Sequence, residues 1–163
     1  MVGGLVERYG CAPMTVVRTS VDIDAPPERV WEVISDPRNL PLWDRHIVSV
    51  DGVPPEGVKE GSRYTTVLKL ISVHAHVPAE VLELDPPRLG RVRLGGLIDA
   101  VVTTRIDPLA GNRSRLEHHV NYQFRGGPLG RLAARSLRMI GGAGLALRHG
   151  ALAQKRQIED GVP

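Results

Sequence analysis

The chain has 163 residues, which is the length of one domain and enough to bury a core. Hydrophobic residues make up 42% and charged residues 24%, a globular composition that argues against an intrinsically disordered chain. The net charge of +3 is weak evidence for an anionic partner. Aromatic residues make up 4%, so aliphatic side chains must build the core, and they must either pack very closely or leave space.

The first residues are expected to form a flexible extension, 1–14, ahead of a single domain at 15–160. Glu7 and Arg8 interrupt this segment, which therefore does not have the apolar run of a signal peptide. Cys11 is the single cysteine, so no internal disulfide is possible and a cytoplasmic location is expected. The chain has no run of 18 consecutive apolar residues, and no transmembrane segment is predicted.

Alternating apolar and polar residues predict a first strand at 16–23. Pro26 and Pro27 suit the first turn of a short helix, which Asp36-Pro37 ends. A second short helix or turn follows around Leu40 to Trp43. Six more strands, separated by turn residues, are predicted at 46–53, 63–70, 73–84, 91–97, 100–107 and 115–124. Because the connections are short, the strands are expected to pair as an antiparallel meander.

The last segment has a helical apolar period from Leu129 to Ile158, which predicts one long helix. Its centre carries Gly141, Gly142 and Gly144, which are unfavourable in a helix, so either the helix bends there or something approaches its backbone closely. From Arg125 to Ile158 the chain has seven Lys or Arg residues and no Asp or Glu. This basic stretch is either a solvated helix face or a surface for an anionic partner.

Several of these segments are similar to one known superfamily. They are the stretch from Val21 to Trp31 (VDIDAPPERVW), ISDP at 34–37, Leu42-Trp43, and the turn Asp85-Pro86-Pro87. The chain resembles the START-like (SRPBCC) superfamily, in particular its polyketide cyclase/dehydrase and lipid-transport branch. The resemblance implies an α+β helix-grip fold, in which a curved seven-stranded antiparallel sheet wraps around a long C-terminal helix, with two short helices after strand 1.

Members of that superfamily bind hydrophobic small molecules between the sheet and the long helix, and the resemblance implies the same here. Strand alternation places the uncharged residues on the inner face, since charged side chains stay in water. The expected ligand-binding residues are Leu40, Trp43, Tyr64, Thr66, Leu68, Val77, Ala79, Val92, Leu94, Val102, Thr104, His118, Val120, Tyr122, Leu137, Ile140, Gly141 and Gly144. Leu40 and Trp43 are expected near the mouth, and Trp31 in the core.

The inner face also provides candidates for acid–base chemistry. His118, with Tyr64 or Tyr122, could polarise a carbonyl and move a proton, although a core histidine held by a hydrogen bond is the simpler interpretation. His74 and His76 share a strand face, but no third ligand is evident, so no metal and no cofactor are predicted.

The leading functional hypothesis is a binding protein for a lipid, isoprenoid or polyketide-like molecule, present as a monomer or homodimer. One alternative is a polyketide cyclase or dehydratase. A second alternative is an interaction module that uses the basic last helix; no specific nucleic acid is predicted, because the aromatic residues expected of such a surface are missing there.

Overall fold

The computed structural model describes residues 14–70, 73–139 and 141–161. It contains seven strands: β1 (Thr15–Ile23), β2 (Ile47–Asp51), β3 (Arg63–Leu70), β4 (Val73–Asp85), β5 (Leu89–Leu94), β6 (Ile98–Leu109) and β7 (Arg113–Phe124). Four α-helices accompany them: α1 (Pro27–Ile34), α2 (Leu40–Trp43), α3 (Pro128–Met139) and α4 (Gly142–Asp160). The expected extension at 1–14 falls almost entirely outside the described residues.

The strands form one antiparallel sheet in the order β1-β7-β6-β5-β4-β3-β2. Strands β2 to β7 pair with their sequence neighbours, and β1 closes the order by pairing with β7. The sheet is curved, and the helices cover its concave inner side. The predicted α+β helix-grip fold is therefore confirmed.

The two short helices after β1 begin and end where the prolines require. Pro27 occupies the first turn of α1, and the Asp36 carboxylate accepts a hydrogen bond from the Arg38 backbone N–H just beyond its end. A 3₁₀ turn at Pro37–Asn39 then leads into α2. This segment crosses one end of the sheet, where Val30 and Val33 are buried against Ile106 and Leu116.

The long last helix is interrupted at its glycines, where the sequence allowed a bend or a close approach. Helix α3 ends at Met139 and α4 begins at Gly142. Gly141 and Gly142 have φ angles of 91° and 87°, which are left-handed conformations that residues with a Cβ rarely adopt. The glycines therefore produce a break between two helices. Among the described residues, no helix is both long and apolar enough to cross a bilayer.

Replacing Gly142 by Ala tests this break. Gly142→Ala is expected to lower the free energy of unfolding by about 1–2 kcal/mol, because a Cβ disfavours the left-handed conformation. Gly150→Ala is the matched control: Gly150 lies inside α4 with open space around its Cα. It is expected to raise the free energy of unfolding by up to about 1 kcal/mol. Chemical denaturation measures both, and a stabilising Gly142→Ala would show that the helix is continuous.

Candidate functional site

The inner face of the sheet is defined by the strand register. Val102 of β6 lies opposite Val92 of β5 and Val120 of β7, and Val120 in turn lies opposite Val17 of β1. Residues that are directly opposite point to the same face of a sheet, so these four valines form one row. The neighbouring row contains, from β3 to β7, Tyr64, Ala79, Leu94, Ala100 and Tyr122.

Most of the buried apolar side chains of the described residues belong to three clusters. The first and largest joins α1, α2 and the end of α4 to β1, β6 and β7, and includes Ile106 and Leu116. The second lies on β3 and β4 around Tyr64, Ala79 and Val81. The third joins Ala133 of α3 to Leu70 and Ala75. The second and third are smaller satellites of the first, as is usual in a domain of this size.

The centre of the inner face lies between these clusters. Val102, Val120 and Tyr122 are half-buried, and none of them packs against any of the three clusters. Val92 and Leu94 touch the second cluster from the same side. The sheet therefore presents an aliphatic area, with one tyrosine, that the protein's own side chains cover incompletely.

The position of α4 explains this incomplete cover. The helix packs mainly against β1, at the edge of the sheet, and contacts β7 slightly. Lys155 Nζ donates a hydrogen bond to the Asp22 carbonyl at 2.6 Å, and the Asp24 backbone N–H donates to Glu159 at 2.7 Å. These bonds hold α4 along β1 rather than over the middle strands. In the described part of the chain, no helix packs substantially against β5.

His118 lies on the inner face with both ring nitrogens hydrogen-bonded. Its Nε2 lies 2.8 Å from Gln154 Oε1 and its Nδ1 lies 2.9 Å from Thr104 Oγ1. The amide oxygen of Gln154 can only accept, so Nε2 carries the proton and Nδ1 accepts from the Thr104 hydroxyl. Burial lowers the pKa of His118 from its usual 6.5, so the ring is neutral at physiological pH. Through these two hydrogen bonds, His118 of β7 connects β6 to α4.

The candidate acid–base residues do not converge. Tyr64 on β3 and Tyr122 on β7 belong to the same cross-strand row but are four strand spacings apart, about 19 Å along the sheet. Tyr122 packs edge to face against Phe124, with ring centroids 5.7 Å apart. Burial raises the pKa of Tyr64 to about 12, so its hydroxyl stays protonated. Tyr64 and Tyr122 therefore cannot both serve one reacting group.

The other predicted ligand-binding residues occupy different environments. Thr66, Val77 and Ala79 are buried in the sheet, while Leu68 packs against the third cluster. Leu137 is half-buried on α3. Gly141 and Gly144 are exposed, and a Cβ on Gly144 would lie 3.7 Å from Val17. Ile140 lies outside the described residues.

Both tryptophans contact the first cluster. Trp43 is buried in it and its indole N–H donates to Gln157 of α4, so it does not lie at a mouth. Leu40 is half-buried and touches both the first and the second cluster. Trp31 packs against the first cluster, as expected of a core residue, but it is less buried than Trp43 and also lines a surface hollow together with Arg38 and Leu84.

Three polar residues of the helices were not predicted. Gln154 and Gln157 interrupt the apolar stripe of α4 and bond to His118 and Trp43. Their occurrence at buried positions of the helical period is the signal that could have identified them. Ser136 on α3 has a buried hydroxyl oxygen with no hydrogen-bond partner among the described residues. It lies one turn after Ala133, on the side of α3 that packs on the sheet.

Two further features lie away from this face. Two hollows lie on the surface of the described part of the chain. One is beside Trp31, and the other is around Arg18, Glu117 and His119. His74 and His76 are exposed on β4, paired with Lys69 and Val67. Within residues 14–70, 73–139 and 141–161, no group of three or more His, Cys, Asp or Glu residues could hold a metal ion.

A sequence comparison identifies the family. Residues 14–154 match the family described as polyketide cyclase / dehydrase and lipid transport. The chain belongs to this family. As a family member it carries the START-like fold that its sheet and C-terminal helices display. Among curated proteins, none matches the chain significantly.

Solved structures agree with this assignment. The Zhui aromatase/cyclase from Streptomyces is 15% identical, with a TM-score of 0.68, over 91% of this chain and 98% of that one. A START superfamily protein from Mycobacterium smegmatis is 16% identical, with a TM-score of 0.64, over 90% and 99%. A Deinococcus radiodurans protein is 22% identical, with a TM-score of 0.66, over 91% and 99%. At these identities the likeness shows the fold alone.

Because His118 is buried, the free energy of unfolding is expected to depend on pH. Its pKa is lowered in the folded state, so below about pH 6.5 the unfolded chain binds a proton that the folded chain does not. The free energy of unfolding is therefore expected to fall as the pH is lowered from about 7 to 5. His118→Gln should lose less stability over that interval than the wild type, as measured by denaturation at each pH.

The exposed His149 provides the control, as His149→Gln leaves the buried ring in place. An unchanged pH dependence in His118→Gln would contradict the assignment.

Proposed function

We propose that the protein binds a small apolar molecule against the centre of the inner sheet face, beside α4. One observation carries this proposal: Val102, Val120 and Tyr122 face inward in the middle of the fold and pack against none of its buried clusters. Apolar surface left in contact with water forgoes about 25 cal/mol per Å² of stabilisation. A bound apolar molecule would recover that free energy.

The surface chemistry favours a lipid, an isoprenoid or a polyketide-like molecule. The central row is made of four valines, and the next row adds Leu94 and Ala100. Three polar groups of the inner face are already engaged, since Thr104 and Gln154 both bond to His118. Shape and apolar contact would therefore provide most of the affinity. Membership of a family that includes lipid transport proteins supports the same class of ligand.

The unpaired hydroxyl of Ser136 would give the ligand one polar contact. A buried hydroxyl without a partner costs about 1–3 kcal/mol, so a ligand oxygen placed beside it would relieve a penalty that the empty protein carries. This favours an apolar ligand that carries one hydroxyl or carbonyl over a pure hydrocarbon.

The alternative of a polyketide cyclase or dehydratase receives no support from the site geometry. The two ring nitrogens of His118 bond to Thr104 and Gln154, and the candidate tyrosines lie on β3 and β7 at opposite sides of the sheet. The likeness to an aromatase/cyclase is one of fold. A carrier or a binding protein is therefore the function that the site supports best.

Filling the centre of the face tests the proposed binding. Val102→Phe is expected to weaken binding of the neutral dye N-phenyl-1-naphthylamine by about tenfold or more, since overpacking costs about 1–3 kcal/mol. Fluorescence titration measures this. Val101→Phe is the matched control, because Val101 is the adjacent residue and lies opposite Arg93 and Asn121 on the outer face.

Native mass spectrometry of the purified protein, followed by organic extraction, identifies any molecule that it retains.

In the fluorescence titration, equal dye binding by Val102→Phe, Val101→Phe and the wild type would contradict the proposed location.

Ser136→Ala tests whether the Ser136 hydroxyl forms a hydrogen bond with the ligand in addition to the apolar contacts. It is expected to weaken binding of a long-chain alcohol by about threefold to tenfold, the value of one hydrogen bond, and to leave binding of the matching alkane unchanged. The free energy of unfolding without ligand should stay the same or rise, because an unpaired buried hydroxyl is removed. Calorimetric titration measures the affinities. An equal loss for alcohol and alkane would mean that Ser136 does not contact the ligand's oxygen.

A further inference from the structure

The outward side of α3 carries a row of arginines. Arg131, Arg135 and Arg138 are spaced by four and three residues, which places them on one face of the helix, and all three are exposed. Met139 follows Arg135 by four residues and is 69% exposed. Leu129 is also exposed, but it precedes the buried Ala133 by one turn and therefore lies on the other side of α3. Met139 is thus a large apolar side chain in water beside the cations.

Helix α4 repeats this arrangement. Leu145, Arg148, Leu152 and Arg156 are spaced by three, four and four residues, so they also share one face, and all four are exposed. We call the exposed Arg131, Arg135, Arg138, Arg148 and Arg156, with Met139, Leu145 and Leu152, the basic helix surface.

The arginines of this surface differ from most arginines of the sheet. On the outer sheet face, Arg63, Arg91 and Arg115 form ion pairs with Glu80, Glu83 and Asp22. None of the five arginines of the basic helix surface makes an ion pair within the described residues, and no Asp or Glu occurs between Arg125 and Ile158. Within the described residues, the positive charges of the basic helix surface are therefore not balanced by acidic side chains in contact with them.

We propose that the basic helix surface docks the protein on an anionic lipid bilayer. Arginine heads would meet lipid phosphates, while the interleaved leucines and methionine enter the interface, which is the pattern of helices that lie in a membrane surface. The aliphatic stems of the arginines allow both contacts at once.

Other occupants fit this surface less well. A second copy of the chain would bring ten uncompensated arginines together, which opposes association. A single-stranded nucleic acid would need aromatic side chains for stacking, and α3 and α4 contain none. The inference does not depend on the proposed ligand, because it rests on the outward side of the helices rather than on the side that faces the sheet.

The experiment is co-sedimentation with vesicles of phosphatidylcholine alone and of phosphatidylcholine mixed with phosphatidylglycerol. Wild-type protein is expected to bind the mixed vesicles, to bind neutral vesicles weakly, and to dissociate as salt rises. The triple variant Arg131→Gln, Arg135→Gln, Arg138→Gln should bind the mixed vesicles about tenfold or more weakly, because each cation near an anionic surface contributes to the affinity.

A second triple variant removes the same charge elsewhere. Arg45→Gln, Lys59→Gln, Arg88→Gln changes three exposed residues for which the described part of the chain provides no ion-pair partner. It should bind the mixed vesicles nearly as well as the wild type. An equal loss in the two triple variants would overturn the proposal, since net charge rather than this surface would then determine binding.

The apolar residues distinguish a bilayer from other polyanions. Met139→Ser with Leu145→Ser should weaken vesicle binding several-fold and leave binding to heparin unchanged. Val16→Ser with Val48→Ser is the matched control, because these valines are 54% and 51% exposed on the sheet. Absence of binding to mixed vesicles at low salt, or tight binding to heparin, RNA or poly-glutamate without vesicle binding, would overturn the proposal.

Dye binding separates this inference from the proposed function. The arginine variants should retain N-phenyl-1-naphthylamine, and Val102→Phe should retain vesicle binding.

Discussion

The attachment of α4 to the edge of the sheet determines how much of the inner face stays open. Lys155 bonds to the Asp22 carbonyl and to Glu159, and Glu159 accepts from the Asp24 backbone, so the last turns of α4 are fixed along β1. A helix held at one edge of a curved seven-stranded sheet cannot also fill its middle. The clusters under α1, along β3 and β4, and under α3 therefore remain separate, with the valine row of β5, β6 and β7 between them.

The polar groups of the inner face stabilise the fold more than they offer chemistry. His118 is neutral because burial disfavours its charged form, and its two nitrogens connect Thr104 of β6 to Gln154 of α4. Both ring nitrogens of His118 thus have hydrogen-bond partners within the protein, as buried polar groups require. Ser136 differs, because its buried hydroxyl has no partner in the described part of the chain. The contrast separates residues whose hydrogen bonds hold the helix in place from one that our proposal assigns to a ligand contact.

The sequence predicts the sheet well, because a strand with one buried face alternates apolar and polar residues. The seven strands and the inner position of Tyr64, Val102 and His118 follow from this alternation, and the two short helices follow from the prolines that bound them. The helix break does not follow, since a glycine cluster is equally typical of a bend, a close approach or a chain reversal. The buried position of Trp43 depends on Gln157, a contact 114 residues away along the chain that no local pattern encodes.

Nuclear magnetic resonance with methyl-labelled valine tests the central claim most directly, because it reports where an apolar molecule lies in the folded protein. With a long-chain alcohol added, the account predicts intermolecular contacts between the alkyl chain and the methyl groups of Val102 and Val120, which lie on neighbouring strands in one row. Contacts confined to the surface hollow beside Trp31 and Leu84, with the Val102 and Val120 signals unchanged, would contradict it.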